Sequence, residues 1–479
     1  MMLGTSGTAN HDNYGIDFSA GQADTFSLIR PVDFMFCDAG ICDTTGQLIF
    51  YTNGVNVENR NHSDMLNSAF FNPGLATTVW YYGLRIQQAC LILPVPSSDS
   101  MYYIFHESAE QLPGLTNGPI NLSYSEVNMN LDGGLGGITA KKNVHIINDT
   151  LMFGRVAACK HANGVDYWVL THEFYSNNFY KVLLTSDTMV VDTQSTGLIN
   201  TDLGGTNYYG QACFSPDGKK YALEVMDSII EVFDFDRCTG ALSNPIYLTH
   251  GENVQGGWLA LTGLAFSASG QYLYVNNNIK IWQYDVYAGN VLASEQLVAE
   301  WDTFTAPCCN SYTTFFMMQL APDNRIYITQ NIGTNILHYI EFPDSAGVAC
   351  NVVQDSFITP GFNTFSFPNI VNYDLMNDTT SACDTILTLV NPQMQIGKQI
   401  QIYPNPSTEY FWINYALPVN ERAILELYDA LGNRVQQNIL YGHSKTLMVH
   451  TENLLQGVYY YRVVYGVNNI GSGKIIKIG

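Results

Sequence analysis

Three stretches of this chain are variants of one unit: "CFSPDGKKYALEV" from Cys213, "AFSASGQYLYVNN" from Ala265 and "QLAPDNRIYITQN" from Gln319. Each reads as an apolar strand, a tight turn and a second apolar strand. The turn residues Gly218, Gly270 and Asn324 supply or tolerate the positive φ that such hairpins need, and they recur at intervals of 52 and 54 residues (218 to 270 to 324). Weaker copies lie upstream, in "CDTTGQLIFYTNG" from Cys42, "PVPSSDSMYYIFH" from Pro94 and "CKHANGVDYWVLTHEF" from Cys159. In several units a third strand follows, such as "IIEVFDFD" from Ile229 and "IKIWQYDVY" from Ile279, and then a more polar fourth segment. A four-stranded sheet of this kind cannot bury both apolar faces by itself. Copies packed around an axis bury them against one another, so a period of about 50 residues predicts an all-β β-propeller. Six units are directly visible. A seventh closes the ring if "FPNIVNYDL" from Phe367 supplies its inner strand and "NYGIDFSAG" from Asn13 an outer one; seven blades are expected, with six as the alternative.

Composition agrees. The chain holds 31 Tyr and 24 Phe in 479 residues, types that suit pleated, half-buried surfaces, and no long 3.6-period stripe with caps at both ends is present. Only 20 Lys and Arg stand against 42 Asp and Glu, a net charge of −22. So acidic a surface repels phosphate backbones and anionic lipid, which excludes nucleic acid as an expected partner. No apolar run of about 18 residues exists, so no transmembrane segment is expected. Ten cysteines occur, none in a metal or redox CxxC spacing. They sit singly or in close pairs, Cys37 with Cys42 and Cys308 with Cys309, a usage that fits disulfides made outside the cytoplasm. The N-terminal "MMLGTSGTANHDNYGIDFSAG" has neither a basic nor an apolar leader region, so a signal peptide is expected to be missing from the chain as given.

After Leu375 the pattern changes. "MNDTTSACDT" is polar and turn-rich, and short alternating strands then resume with "QIYPNPSTEYFWINYAL" from Gln401, with turns expected at Gly432, Gly457 and Gly466. Pro404 and Pro406 lack amide donors and belong at the opening of an edge strand; Tyr403 and Asn405, each before a proline, are pushed extended. The expected organisation is a propeller over 1–378, a linker over 379–398 and a small Ig-like β-sandwich over 399–479.

Four features of those last residues, "YPNPS" from Tyr403, "LYDALGNRV" from Leu427, "LLQGVYYYRV" from Leu454 and "GSGKIIKI" from Gly471, closely resemble the type A C-terminal sorting domain of the bacterial type IX secretion system. Pro404, Asn405, Pro406, Gly432, Gly457 and Lys474 carry the motif. The resemblance implies a gram-negative cargo protein whose partner is the type IX machinery, secreted or displayed on the outer-membrane surface. The first 375 residues resemble the propeller region of such cargo, through "LIFYTNGVNVENRNHSDM" from Leu48, "GQACFSPDGKKYA" from Gly210, "FDFDRCTGALSNP" from Phe233 and "QLAPDNRIYI". They are also similar to WD40-like and lactonase-like repeats, a likeness that carries no chemistry with it.

No GxSxG, P-loop, HExxH or full GxGxxG motif is present, and no catalytic residue is assigned. "GGLGGIT" from Gly133 reads as a turn. His106–Glu107 and His172–Glu173 are strand neighbours pointing to opposite faces, so neither pair is a dyad, although each member can meet a partner from another blade near the axis. "DFDRCTG" from Asp234 starts like a calcium loop, but Cys238 stands at its fifth position. The metal assignment is open: no cofactor is expected, with calcium on loop carboxylates as the candidate exception. Loop 59–88 holds Trp80, Tyr81, Tyr82 and Arg85, which suit stacking on a glycan or holding a peptide or surface protein; the competing reading has these aromatics anchoring the loop on the propeller rim. Adjacent Cys308 and Cys309 either bridge each other or, the expectation here, hold different strands. The propeller is thus expected to be a binding module, with a hydrolase or lyase acting on polysaccharide or lactone as the alternative.

Overall fold

The hairpin turns carry the backbone that the repeat demands: φ is 70° at Gly218, 75° at Gly270 and 63° at Asn324. The structure, a computed structural model, describes residues 2–3, 13–80, 83–111, 118–199, 210–226, 229–249, 263–363, 365–379, 381, 383, 400–415, 417, 422–441, 446–465 and 468–478. The chain divides into two compact units, Met1–Thr385 and Ile386–Gly479.

Among the described residues unit one contains seven successive antiparallel blade sheets, with a separate two-stranded ribbon (Thr305–Ala306, Ser311–Tyr312) between the last two. Blade 1 has three strands (Met2–Leu3, Asn13–Asp17, Asp24–Leu28), as does blade 2 (Ala39–Cys42, Leu48–Thr52, Val57–Asn59). Blade 3 comprises Cys90–Pro94, Met101–Glu107 and Asn121–Asn128, with Gly137–Ile138 and Val144–Asn148 both beside the third strand. Blades 4 to 7 have four strands each, in chain order from the axis outward. Their first strands are Ala157–Lys160, Ala212–Phe214, Leu264–Phe266 and Phe315–Leu320. Burial follows the radius. The second strand of blade 4, Tyr167–His172, is buried on both faces, whereas its fourth, Met189–Ser195, is almost wholly open.

The blade count follows from what packs on what. Separate apolar cores join blades 1 and 2 (Phe34, Tyr51), 2 and 3 (Phe50, Ile104), 3 and 4 (Phe105, Val169), 4 and 5 (Phe179, Phe233), 5 and 6 (Val232, Trp282), and 6 and 7 (Tyr274, Ile328). The ring is closed by a core of Tyr14 and Ile16 from blade 1 with Tyr327 and Leu337 from blade 7. Seven sheets and seven interfaces make a seven-bladed propeller.

The means of closure differs from the expected one. Asn13–Asp17 is a strand, but residues 367–375 form none and join no sheet. Their asparagines bond the axis instead: the Asn369 amide donates to the carbonyls of Cys90 (3.1 Å) and Val156 (2.7 Å), at the innermost edges of blades 3 and 4. Tyr373 then donates to Ile92 O, Asn372 to Pro216 O, and Asp378 N–H to Ala162 O. The segment therefore runs along the inner strands from one end of the ring to the other. It is fastened on blade 5 by Arg237, which donates to Met376 O, and by the disulfide Cys238–Cys383. Most of the expected linker lies outside the described residues; Cys383, within it, is held on the propeller.

Unit two is a β-sandwich. A three-stranded sheet (Gln401–Tyr403, Tyr410–Asn414, Thr446–His450) and a four-stranded sheet (order Arg434–Tyr441, Arg422–Tyr428, Gly457–Tyr465, Asn468–Lys477) share a core that includes Phe411, Leu425, Val449 and Val463. Gly432 forms its turn at φ 84°. Gly457 opens a strand opposite Lys477 rather than forming a turn, and Gly466 lies outside the described residues.

Candidate functional site

In blades 2 to 7 the first residue of the inner strand pairs with a residue in the later half of the second strand: Ala39 with Thr52, Cys90 with His106, Ala157 with Leu170, Ala212 with Leu223, Leu264 with Val275 and Phe315 with Gln330. These ends gather at one mouth of the ring, and the polar residues of otherwise apolar strands cluster there. Glu107 closes the second strand of blade 3. Its carboxylate accepts from Gly154 N–H at 2.9 Å and Thr171 Oγ1 at 3.5 Å, both of blade 4. Arg155, beside Gly154, pairs with Glu224 of blade 5 at 3.6 Å. Three blades are thereby tied by groups whose exposure is 0% at Glu107, 1% at Arg155 and 3% at Glu224. Burial pushes the Glu107 carboxyl well above its usual range, and the Gly154 N–H, Arg155 and Thr171 only partly offset this. Two glycines make the close approach possible. A Cβ on Gly154, at φ 66°, would strike the Gln87 carbonyl, and one on Gly210 would strike the Arg155 guanidinium and the Glu224 carboxylate.

Glutamine amides bridge blades across the mouth. Gln88, leading into blade 3, donates to Ala212 O (3.0 Å) and accepts from Ala212 N–H (2.8 Å) at the start of blade 5. Gln211 Oε1 accepts from Leu264 N–H and Met318 N–H of blades 6 and 7, each at 3.1 Å. His106 shares a 3.3 Å contact with Ser125 and is pushed down to about 3 by burial; His172 lies edge-on against Phe179 and is pushed down to about 4 by burial. Both imidazoles are neutral at ordinary pH.

Loop 59–88 stands beside this mouth. Buried Asn72 donates to the carbonyls of Gly54 and Glu107, both at 2.9 Å. Trp80 does not face solvent: at 8% exposure it lies in the core between blades 2 and 3 with Phe71 and Ala76, because the short helix Leu75–Val79 turns it inward. Arg85 is exposed, and Tyr81 and Tyr82 lie outside the described residues. Among the described residues of the loop the exposed aromatic is Phe70, 84% open at φ 62°. It is held by the Lys142 ammonium on the carbonyls of Asn67 and Ala69 and by Asn143, which donates to Phe70's own carbonyl at 2.8 Å.

At the opposite end a cavity of about 620 Å³ is lined by Lys219, Lys220, Arg237, Tyr287 and Asp378. Two of its cations are engaged, Lys220 with Asp234 at 2.6 Å and Arg237 with the carbonyls of Lys160, His161 and Met376. The "DFDRCTG" stretch is a turn: Asp236 accepts from Cys238 N–H and Thr239 Oγ1. Among the described residues no group of three or more His, Cys, Asp or Glu is placed to hold a metal ion. Cys308 and Cys309 do not hold different strands; their sulfurs face each other at 2.9 Å.

In unit two the motif residues converge. Asn405 Nδ2 donates to Lys474 O at 2.8 Å, and its Oδ1 accepts from Ile476 N–H at 2.9 Å. Ser407 N–H donates to Ile476 O, and Ile478 N–H to Ser407 O. The prolines on either side leave Asn405 the one residue of that triplet with an amide side chain, and it clamps the final strand. Glu426 holds Arg434 (2.7 Å), Arg462 (2.6 Å) and Tyr428 (2.8 Å), and the two guanidiniums bring its carboxyl down to about 2.

The architecture is that of a β-propeller joined to a β-sandwich. Residues 401–477 match the family model described as the secretion system C-terminal sorting domain, and the chain carries that domain as its C-terminal unit. No curated protein matches the chain. Solved structures similar to it include two described as "putative 6-phosphogluconolactonase". The one from Bacteroides uniformis is 13% identical with a TM-score of 0.46 and covers 77% of this chain and 97% of that chain. The one from Bacteroides fragilis is 12% identical with a TM-score of 0.43 and covers 77% and 95%. The Swd1 β-propeller domain of Myceliophteria thermophila is 12% identical with a TM-score of 0.35, covering 66% and 86%. These likenesses are of architecture, and no residue role is carried over from them. A secretion sorting tail places the protein outside the cell or on its outer-membrane surface. Among the described residues no helix is long and apolar enough to cross a membrane.

Proposed function

We propose that the protein is exported by a type IX secretion system and that its propeller is an extracellular binding module for glycan, peptide or protein, with the ligand seated on the loop beside the mouth. The observation that carries this reading is Phe70. A bulky residue at positive φ is strained, and such strain gathers where a side chain must be presented. Here it displays a ring to solvent on a loop fixed by Asn72, Lys142 and Asn143. A fixed, exposed aromatic binds a sugar face or an apolar side chain at little entropic cost. Arg85, on the run into blade 3, is also exposed.

Cleavage of polysaccharide or lactone by a hydrolase or lyase mechanism is the second reading. A general acid or base must reach the substrate. Glu107 and Glu224 are instead engaged within the ring and almost inaccessible, which favours a structural role for them.

The test incubates the full chain with a panel of immobilised polysaccharides, surface glycans and peptides, following both depletion of protein and release of small products. Depletion without products, abolished in Phe70→Ala, is expected. Products released by the wild type would sink the binding reading. Unchanged depletion by Phe70→Ala would remove Phe70 from the site.

A further inference from the structure

Eight cysteines lie outside the disulfide, and four of them, Cys37, Cys90, Cys159 and Cys350, are buried and behave as small apolar core residues. Cys308 and Cys309 do not. Cys308 is exposed and Cys309 half-buried, in a turn closed by Asn310 N–H on Ala306 O, with Asn310 at φ 53°. Their sulfurs stand 2.9 Å apart, inside ordinary nonbonded contact, and the Cys309 thiol points at Gly333 O, 3.5 Å away. Gly333 lies between Gln330, which ends the second strand of blade 7, and Thr334, which begins the third. The pair therefore sits at the mouth end of the ring.

We propose that Cys308 and Cys309 form a reversible redox site that takes low-molecular-weight disulfides as its oxidant. One cysteine thiolate attacks the disulfide R–S–S–R, forming a mixed disulfide and expelling one R–S⁻, which takes up the proton the cysteine lost. The second cysteine, deprotonated in turn, attacks the protein sulfur of the mixed disulfide and expels the second R–S⁻, again protonated to R–SH. Two cysteine thiols are oxidised and one external disulfide is reduced to two thiols. Neighbouring Cα atoms lie about 3.8 Å apart across a trans peptide, below the usual disulfide span of about 4.4–6.8 Å. The ring so formed is strained and exposed, which makes it easily reduced. Burial and the neighbouring thiol raise the Cys308 pKa, so closure quickens as pH rises. Cys238–Cys383, which staples the tail to blade 5, is the contrasting structural bond.

The test equilibrates the full chain with oxidised and reduced glutathione at graded ratios, alkylates remaining thiols and maps the tryptic peptide Ile281–Arg325, whose only cysteines are this pair. The expected result is a peptide two hydrogens lighter and unalkylated under oxidising ratios. It returns to the doubly alkylated form at ratios that leave Cys238–Cys383 intact. In Cys308→Ser, Cys309 is expected to accumulate a glutathione adduct that the wild type resolves. A wild-type peptide doubly alkylated at every ratio would overturn the proposal. So would a persistent wild-type adduct, or a cross-link from either cysteine to another part of the chain.

Discussion

Replacing Cys238 and Cys383 by serine tests whether the propeller's tail is stapled as described. The two residues are 145 apart in sequence, so the bond closes a loop that contains the end of blade 5, all of blades 6 and 7 and the tail. The chain-entropy relation for a loop of that length gives about 5 kcal/mol at 25 °C, contributed by restricting the unfolded chain. Unfolding a unit of 385 residues releases about 0.8 kcal/mol per kelvin at roughly 2.1 cal/mol/K per residue, so the loss corresponds to about 6 °C in Tm. Calorimetry on the full chain, wild type against the double serine variant, reads this directly. Native contacts of the tail, including Asp378 N–H on Ala162 O and Arg237 on Met376 O, survive the change. Amide exchange in the folded state is therefore expected to stay close to wild type. An unchanged Tm would refute the staple, and wholesale loss of tail protection would show that the bond organises the native state rather than the unfolded one.

Three further outcomes are expected. Phe70→Gly removes left-handed strain of about 1–2 kcal/mol against an unfolded-state cost for glycine of about 0.5–1 kcal/mol; denaturant unfolding should show equal or slightly higher stability while ligand depletion is lost, and a large destabilisation would refute the strain argument. Asn405→Ala removes two hydrogen bonds on the last strand, worth about 1–3 kcal/mol together, and should speed exchange of the Ile476 amide; unchanged exchange would contradict the clamp. His338 donates through Nε2 to Thr313 O (2.8 Å) and accepts at Nδ1 from Asp355 N–H (3.1 Å), roles open together only to the neutral ring, and burial pushes its pKa down to about 4. The unfolded imidazole takes a proton near pH 6.5 that the folded one refuses, so stability falls as pH drops from 6.5 towards 4. The wild-type advantage over His338→Gln should shrink by about 3 kcal/mol across that window, and a constant difference between pH 7 and 4 would contradict it.

Much of the fold could be read from the chain because the hairpin turns need particular backbones: Gly218, Gly270 and Asn324 mark the blades by the φ they adopt. The sorting motif was legible for a related reason, since two prolines and Asn405 define one clamp. The tail misled because Phe367 to Leu375 has the apolar content of a strand. Its asparagine and tyrosine side chains bond the axis, and that partner exists only once the ring is closed. The inward turn of Trp80 and the exposure of Phe70 were illegible for a similar reason. Aromatic content alone cannot say which ring a short helix turns inward, and the Phe70 ring is presented by a left-handed backbone that its residue type argues against. Arg155 and Glu224 fall in no motif. The available signal was a glutamate inside the apolar strand "KYALEVM", a charge that burial would force to find a partner.

On the function proposed above, the C-terminal unit addresses an extracellular propeller to the type IX route. The most direct measurement expresses the full chain and a version ending at Thr385, each behind the same periplasmic leader, in a gram-negative host that has this secretion system. The fractions in periplasm, on the cell surface and in the medium are then quantified. The full chain is predicted on the surface or in the medium, and the shortened one folded and retained in the periplasm. Equal export of the two would contradict that role of the C-terminal unit.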